Sequence, residues 1–174
     1  MKGLLFLYNG FEDCEAIVTR AMLKKFGFDV ITFTPNFSLK VFSSSRLELK
    51  ADFLIDKMNL DEYDFLIIPG GPYVKQMLEK SDLDLKKILN IIQYFSDKKK
   101  IVGAICAAPS FLGKLNLLKK HSFVCYPGYE NYIEGNYCPE KKTVTSDLFI
   151  TSRSPLTVFD FVFHILNKLS KYSK

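Results

Sequence analysis

The chain of 174 residues contains no tryptophan, only two histidines and, at positions 20, 46 and 153, its only arginines. The scarcity of histidine limits metal chemistry. Neither His121 nor His164 stands at a zinc-ligand spacing from a cysteine, so no metal site is expected. The scarcity of arginine limits phosphate reading. The cations are nearly all lysines, the net charge is a modest +5, and the densest cluster is Lys98, Lys99 and Lys100. Three cations at a helix end suit the dipole and fall short of a basic stripe, so no nucleic-acid partner is expected. Long apolar runs are missing as well. No stretch is long enough to span a membrane, and the short run in MKGLLFLYNGFEDCE is followed by acids, not by a small-residue cleavage site. A cytoplasmic location is the resulting expectation. Cys14, Cys106, Cys125 and Cys138 are then free thiols.

Linkers, repeats and low-complexity segments are absent too, which predicts a single domain over 1–174. With 48% hydrophobic residues and 25% charged residues, the chain is of globular composition, and sixteen Phe and nine Tyr supply much of its core. Apolar runs alternate with helical patterns. Strands are predicted at 3–8, 28–33, 65–68, 101–105 and 122–126, with short strands within 41–55 and a pair around Ser146-Asp147. Between them, Cys14, Ile17, Val18, Ala21 and Met22 recur at helical spacing. Ser81 and Asp84 suggest a capping box ahead of Leu85, Ile88, Leu89, Ile92 and Phe95. A further helix is predicted over 107–118. Ser154 and Pro155 start a last one, with Leu156, Phe159, Val162, Phe163 and Leu166 facing inward. This alternation argues for an α/β fold: a mostly parallel central sheet covered on both faces, with ligands beyond the carboxyl ends of the strands.

Three unusual stretches fall at such ends: Glu12 to Glu15, Gly70-Gly71 and Cys106. Cys106 ends an apolar strand and precedes a helix, with Ala104 and Ala108 two residues to either side. Small residues at those positions permit a strained elbow that exposes a nucleophile. The helix N-terminus would favour the thiolate; the plainer alternative is a buried cysteine packing as a small hydrophobe. Gly70 and Gly71 allow backbone N–H groups to approach a ligand and form an oxyanion site, or make an ordinary tight turn. Glu15, one helical turn past the first strand, could hydrogen-bond a thiolate with its pKa raised, or simply complement the dipole of the first helix. Cys14, among acids, is a poor nucleophile candidate.

The segments GFEDCEAIV (10–18), IIPGG (67–71), GAICAAP (103–109) and ITSRSP (150–155), in this order and spacing, resemble the ThiJ/PfpI superfamily, and within it the parkinsonism-associated (DJ-one) branch. The resemblance runs almost end to end. It implies a flavodoxin-like three-layer sandwich, a homodimer and no cofactor. It matches Cys106 to the cysteine elbow, Glu15 to its partner carboxyl, and Gly70 and Gly71 to the oxyanion glycines, with Ala107 following the nucleophile. Arg46 and Lys25 match basic positions near the thiol, the latter reaching across a dimer interface, and Arg153 matches the element that fixes the last loop. Two positions depart from the pattern. Tyr126 stands where many members of the branch carry a histidine. Ala107 stands where protease-like members carry one, which argues against peptidase activity. The resemblance thus implies a cysteine-dependent glyoxalase or deglycase acting on a small reactive carbonyl compound such as methylglyoxal. Cys106 would be the nucleophile, and Glu15 and Tyr126 the acid–base candidates. The alternatives are a sensor or protective protein working through oxidation of Cys106 by an oxidant, and a binding domain that has lost its chemistry.

Overall fold

A computed structural model describes residues 1–172; residues 173–174, the end of the predicted domain, lie outside the described residues. Seven strands form the central sheet. Its strands are β1 (Lys2–Phe6), β2 (Asp29–Thr34), β5 (Phe53–Leu54), β6 (Phe65–Ile68), β7 (Ile101–Ile105), β10 (Thr143–Ser146) and β11 (Phe149–Ser152). Their order is β10-β11-β7-β6-β1-β2-β5. Every pairing is parallel except the edge pair β10–β11. Strands buried on both faces carry continuous apolar runs, as FLII in β6 and IVGAI in β7 do. Two small ribbons lie outside the sheet: β3 (Lys40–Phe42) with β4 (Glu48–Lys50), and β8 (Ser122–Phe123) with β9 (Asn136–Tyr137).

The chain leaves β1 for β2 on one side, then returns to β6 on the other. Right-handed crossovers in opposite directions put their helices on opposite faces. Helix α1 (Asp13–Lys25) packs along α5 (Val158–Tyr172) on one face, and α3 (Leu83–Asp97) lies over β6 and β7 beside α2 (Tyr73–Lys80) and α4 (Pro109–Lys114) on the other. The expected three-layer α/β sandwich is therefore the observed one. Its crevice opens where the strand order reverses, beyond the ends of β1 and β6. None of the described helices is long and apolar enough to cross a membrane.

Several local expectations are corrected. Ser81 is the left-handed C-cap of α2, and Asp82, whose carboxylate accepts the Leu85 N–H at 3.1 Å, is the N-cap of α3. Helix α4 spans six residues, not the twelve of 107–118, because Leu115 to Lys120 form turns. The strand foreseen at 122–126 stops at Phe123. On α5 the buried side chains are Val158, Phe161, Val162, Ile165 and Leu169, whereas Leu156, Phe159 and Phe163 face solvent. On α1 the buried side chains are Glu15, Ala16, Thr19 and Leu23, and the stripe of Cys14, Ile17 and Ala21 is exposed. Both helices thus carry an apolar stripe that the core does not use.

Candidate active site

Cys106 follows β7 and adopts φ +63°, a left-handed conformation that costs a non-glycine residue roughly 1 kcal/mol or more. Two hydrogen bonds clamp it there. Its own N–H donates to the Ser152 carbonyl at 2.9 Å, and its carbonyl accepts the Tyr126 N–H at 2.8 Å. The residue is 8% exposed, with Ala104, Ala107 and Ala108 buried around it. The small neighbours foreseen in the sequence leave just enough room for the sulfur at the crevice.

Glu15 reaches the same point from α1. Its side chain is fully buried although it carries an ionisable group. The Gly70 N–H donates to Glu15 Oε2 at 2.6 Å. Oε1 is buried with no hydrogen-bond partner among the described groups. Cys106 Cβ and Glu15 Oε2 both lie within 3.0 Å of the point where a side chain at Gly70 would begin. Only a glycine lets thiol, carboxyl and backbone strap meet. Gly71 is constrained differently: it has φ +129°, and a Cβ there would stand 2.2 Å from the Gly10 carbonyl oxygen.

Burial raises the Glu15 pKa to about 8, helped by the charge of Glu12 and opposed by the Gly70 N–H and the thiol. The carboxyl is therefore mostly protonated at neutral pH, as a hydrogen-bond donor beside sulfur requires. The thiol does not follow the sequence-based expectation. Burial first, then the Glu15 charge, push the Cys106 pKa well up, and the Ala107 N–H opposes them only partly. The helix that was to favour a thiolate is too short, and the sulfur too dry, for its dipole to prevail. A protonated Glu15 removes its own share of this effect, so the two groups act as a proton-sharing pair.

The remaining predicted residues are not all gathered here. Gly70 spends its N–H on Glu15, so it supports the carboxyl and cannot serve as an oxyanion donor as expected. Tyr126 holds the elbow through its backbone, while its side chain is 46% exposed and lies edge-on to Tyr129, with ring centroids 6.4 Å apart. Arg46, in the β3–β4 turn, and Lys25, at the far end of α1, are exposed and do not figure among the charges acting on Cys106 or Glu15. Ten residues of helix separate Lys25 from Glu15, about 15 Å. Arg153 donates from Nη1 to the Pro139 carbonyl at 3.0 Å, tying the end of β11 to the turn after β9. The buried Cys125 and part-buried Cys138 are free thiols elsewhere.

Three residues at the site were not singled out from the sequence. Tyr73 is fully buried and its hydroxyl donates to the Pro69 carbonyl at 2.6 Å, bracing the strap that carries Gly70. Tyr129, half-buried beside Tyr126, has its pKa raised first by burial and then by the Cys106 charge, which acts on Tyr73 as well. Glu12 caps α1, its carboxylate accepting the Glu15 N–H at 2.8 Å. In the sequence these were one tyrosine after a PGGP turn, one of four clustered tyrosines, and one acid of three, and nothing distinguished them.

Residues 1–168 match the DJ-1/PfpI family model, and the chain belongs to that family. It is 28% identical to Protein DJ-1 homolog B of Arabidopsis thaliana over 95% of this chain, spanning only 37% of that longer protein. It is 28% identical to the deglycase PH1704 of Pyrococcus horikoshii, covering 91% of this chain and 93% of the relative. It is 26% identical to the glutathione-independent glyoxalase DJR-1.2 of Caenorhabditis elegans, covering 91% and 82%. The crystal structure of Drosophila melanogaster DJ-1beta superimposes with a TM-score of 0.86 at 26% identity, over 97% of this chain and 89% of that one.

Proposed function

We propose that the chain is a cofactor-free, cysteine-dependent enzyme of the glyoxalase or deglycase type, acting on small reactive carbonyl compounds such as methylglyoxal. The observation that carries this reading is the buried carboxyl of Glu15 beside Cys106, with a pKa raised to about 8. The ionised fraction of such a carboxyl grows just above neutral pH, where it can serve as the base for a thiol that burial keeps protonated. Glu15 takes the thiol proton as sulfur attacks the aldehyde carbon, and returns it to the new alkoxide to give a hemithioacetal. The same carboxylate then removes the proton from the former aldehyde carbon; the hydroxyl proton passes from that carbon's oxygen to the neighbouring one through the enediol, and the adjacent carbon is reprotonated, leaving a thioester. Water hydrolyses the thioester to lactate and frees the thiol. The names of the Pyrococcus and Caenorhabditis relatives support this class of substrate. Tyr126 is not needed for these steps, and Tyr129 is the better-placed phenol to steady an alkoxide.

Lactate formed from methylglyoxal is the test. Wild-type protein should produce it, and Cys106→Ser and Glu15→Gln should each lose at least about 100-fold in turnover. Equal rates in wild type and Cys106→Ser would end the proposal. The sensor reading is favoured by one observation, the unpartnered Glu15 Oε1, which could donate to a sulfinate oxygen. The raised thiol pKa ranks it second, because the thiolate is the form that peroxide oxidises.

We further infer that two copies pair through α1, in a cytoplasmic setting. Its outer stripe of Ile17 and Ala21 lines a groove of about 310 Å³ with Leu7 and Leu49, and Phe42 and Leu47 are exposed on the neighbouring ribbon. A second copy covering this face could bring its own Lys25 or Arg46 toward the first copy's site.

A further inference from the structure

Glu12, Glu15 and Gly70 form a closed ring of hydrogen bonds. The Gly70 N–H donates to Glu15 Oε2 at 2.6 Å. The Gly70 carbonyl accepts the Glu12 N–H at 2.9 Å. The Glu12 Oε2 atom accepts the Glu15 N–H at 2.8 Å. Each residue thus donates to one of the others and accepts from the remaining one, and 55 residues of chain separate Glu15 from Gly70. Cys106 sits against the ring at the one place where Gly70 has no side chain.

The ring has an electrical consequence. Glu12 is less buried than Glu15, and it is the acid acting on both members of the reactive pair. The other titratable groups facing the pair are Tyr73 from α2 and Tyr129 from the segment after β8, both phenols held neutral by burial. No cation is among the groups that bias Glu15 or Cys106 within the described chain. A single half-buried carboxylate therefore supplies the fixed field.

We propose that Glu12 is the positioning residue of this site: its ring of hydrogen bonds holds Glu15 and Gly70 in register against Cys106, and its negative charge biases the pair toward keeping its protons. The inference rests on the reading of Cys106 and Glu15 as the reactive pair, and not on the identity of the aldehyde. A cap alone would be served as well by serine, asparagine or aspartate. A charge at this position does something that a neutral cap does not.

Alkylation of Cys106 by iodoacetamide as a function of pH, followed by mass spectrometry of the peptide, separates the two roles without any substrate. Glu12→Gln keeps an oxygen to accept the Glu15 N–H and removes the charge. Its alkylation midpoint should move to lower pH, by about half a unit for one charge at this range in a partly solvated setting. Glu12→Asp keeps the charge and should leave the midpoint where wild type has it. Glu12→Ser, a neutral cap, should shift as the glutamine does, and serves if the glutamine variant does not fold. A midpoint unchanged in both neutral variants, or one moved as far by aspartate as by glutamine, overturns the proposal. A protein that makes no lactate but shows the shift loses the proposed reaction and keeps this inference; lactate without the shift does the reverse. Absence of pH-dependent alkylation at Cys106 overturns both.

Discussion

At the scale of single residues, the site is governed by one buried carboxyl. An unfolded Glu15 would release its proton near its ordinary value of 4.5, whereas the folded one holds it until about pH 8. A raised folded-state pKa means that the folded form binds the proton more tightly. The stabilisation is complete below pH 4.5 and is lost as pH rises toward 8, on the order of 4 kcal/mol in total. Denaturant unfolding at pH 5 and pH 8 should show this loss in wild type and a flatter dependence in Glu15→Gln. Parallel slopes in the two proteins would show that the carboxyl ionises on folding like any surface acid. Turnover should respond oppositely, rising with pH through about 8 as the base becomes available. The cost and the catalytic use of the group are the same desolvation. Cys106, Glu15 and Gly70 were legible in the sequence because a thiol, an acid and a glycine converge at three strand ends, although each alone had a plainer structural reading. Glu12, Tyr73 and Tyr129 were not. Their roles depend on contacts such as Tyr73 to Pro69 and Tyr126 to Cys106, which only the folded backbone creates.

At the scale of elements, the strap after β6 is a joint where backbone meets backbone with no room for a side chain. Gly71→Ala would force a left-handed backbone on alanine and drive its Cβ against the Gly10 carbonyl, 2.2 Å away. A cost of about 2–4 kcal/mol is expected, read as a lower denaturant midpoint at unchanged m. A loss under 1 kcal/mol would mean that the β1 and β6 loops can slide apart. The helices show why sequence patterning placed the sheet well and the faces of α1 and α5 poorly. Parallel strands buried on both sides declare themselves by composition alone. Periodicity in a helix reports where apolar residues lie, not which side the sheet takes. Helix α1 buries Glu15 and Thr19 and leaves Ile17 outside, the reverse of what its apolar spacing implied. On α5, Phe161 and Ile165 won the core over Phe159 and Phe163, which the same periodicity could not distinguish.

At the scale of the whole molecule, those misread faces leave Ile17, Phe159 and Phe163 in water. A stripe holding Ile17, Leu47 and Phe42 in water is costly in isolation, and the proposed second copy would cover it. Ile17→Glu should convert the protein to a monomer in sedimentation velocity, with little loss of thermal stability in the separated chain, because the residue is 40% exposed in the single chain. Sedimentation of wild type as a monomer at tens of micromolar would remove the paired form.

The clamp on Cys106 carries a consequence for how the protein is made. Its two backbone partners, Tyr126 and Ser152, lie 20 and 46 positions downstream, while Glu15 and the glycine strap come before it. A nascent chain emerging from the ribosome can assemble the first strands and α1 early, but the left-handed corner stays unlocked until β11 has joined the sheet. The Cys106 corner is therefore completed last, and an incomplete chain carries a cysteine without its left-handed clamp.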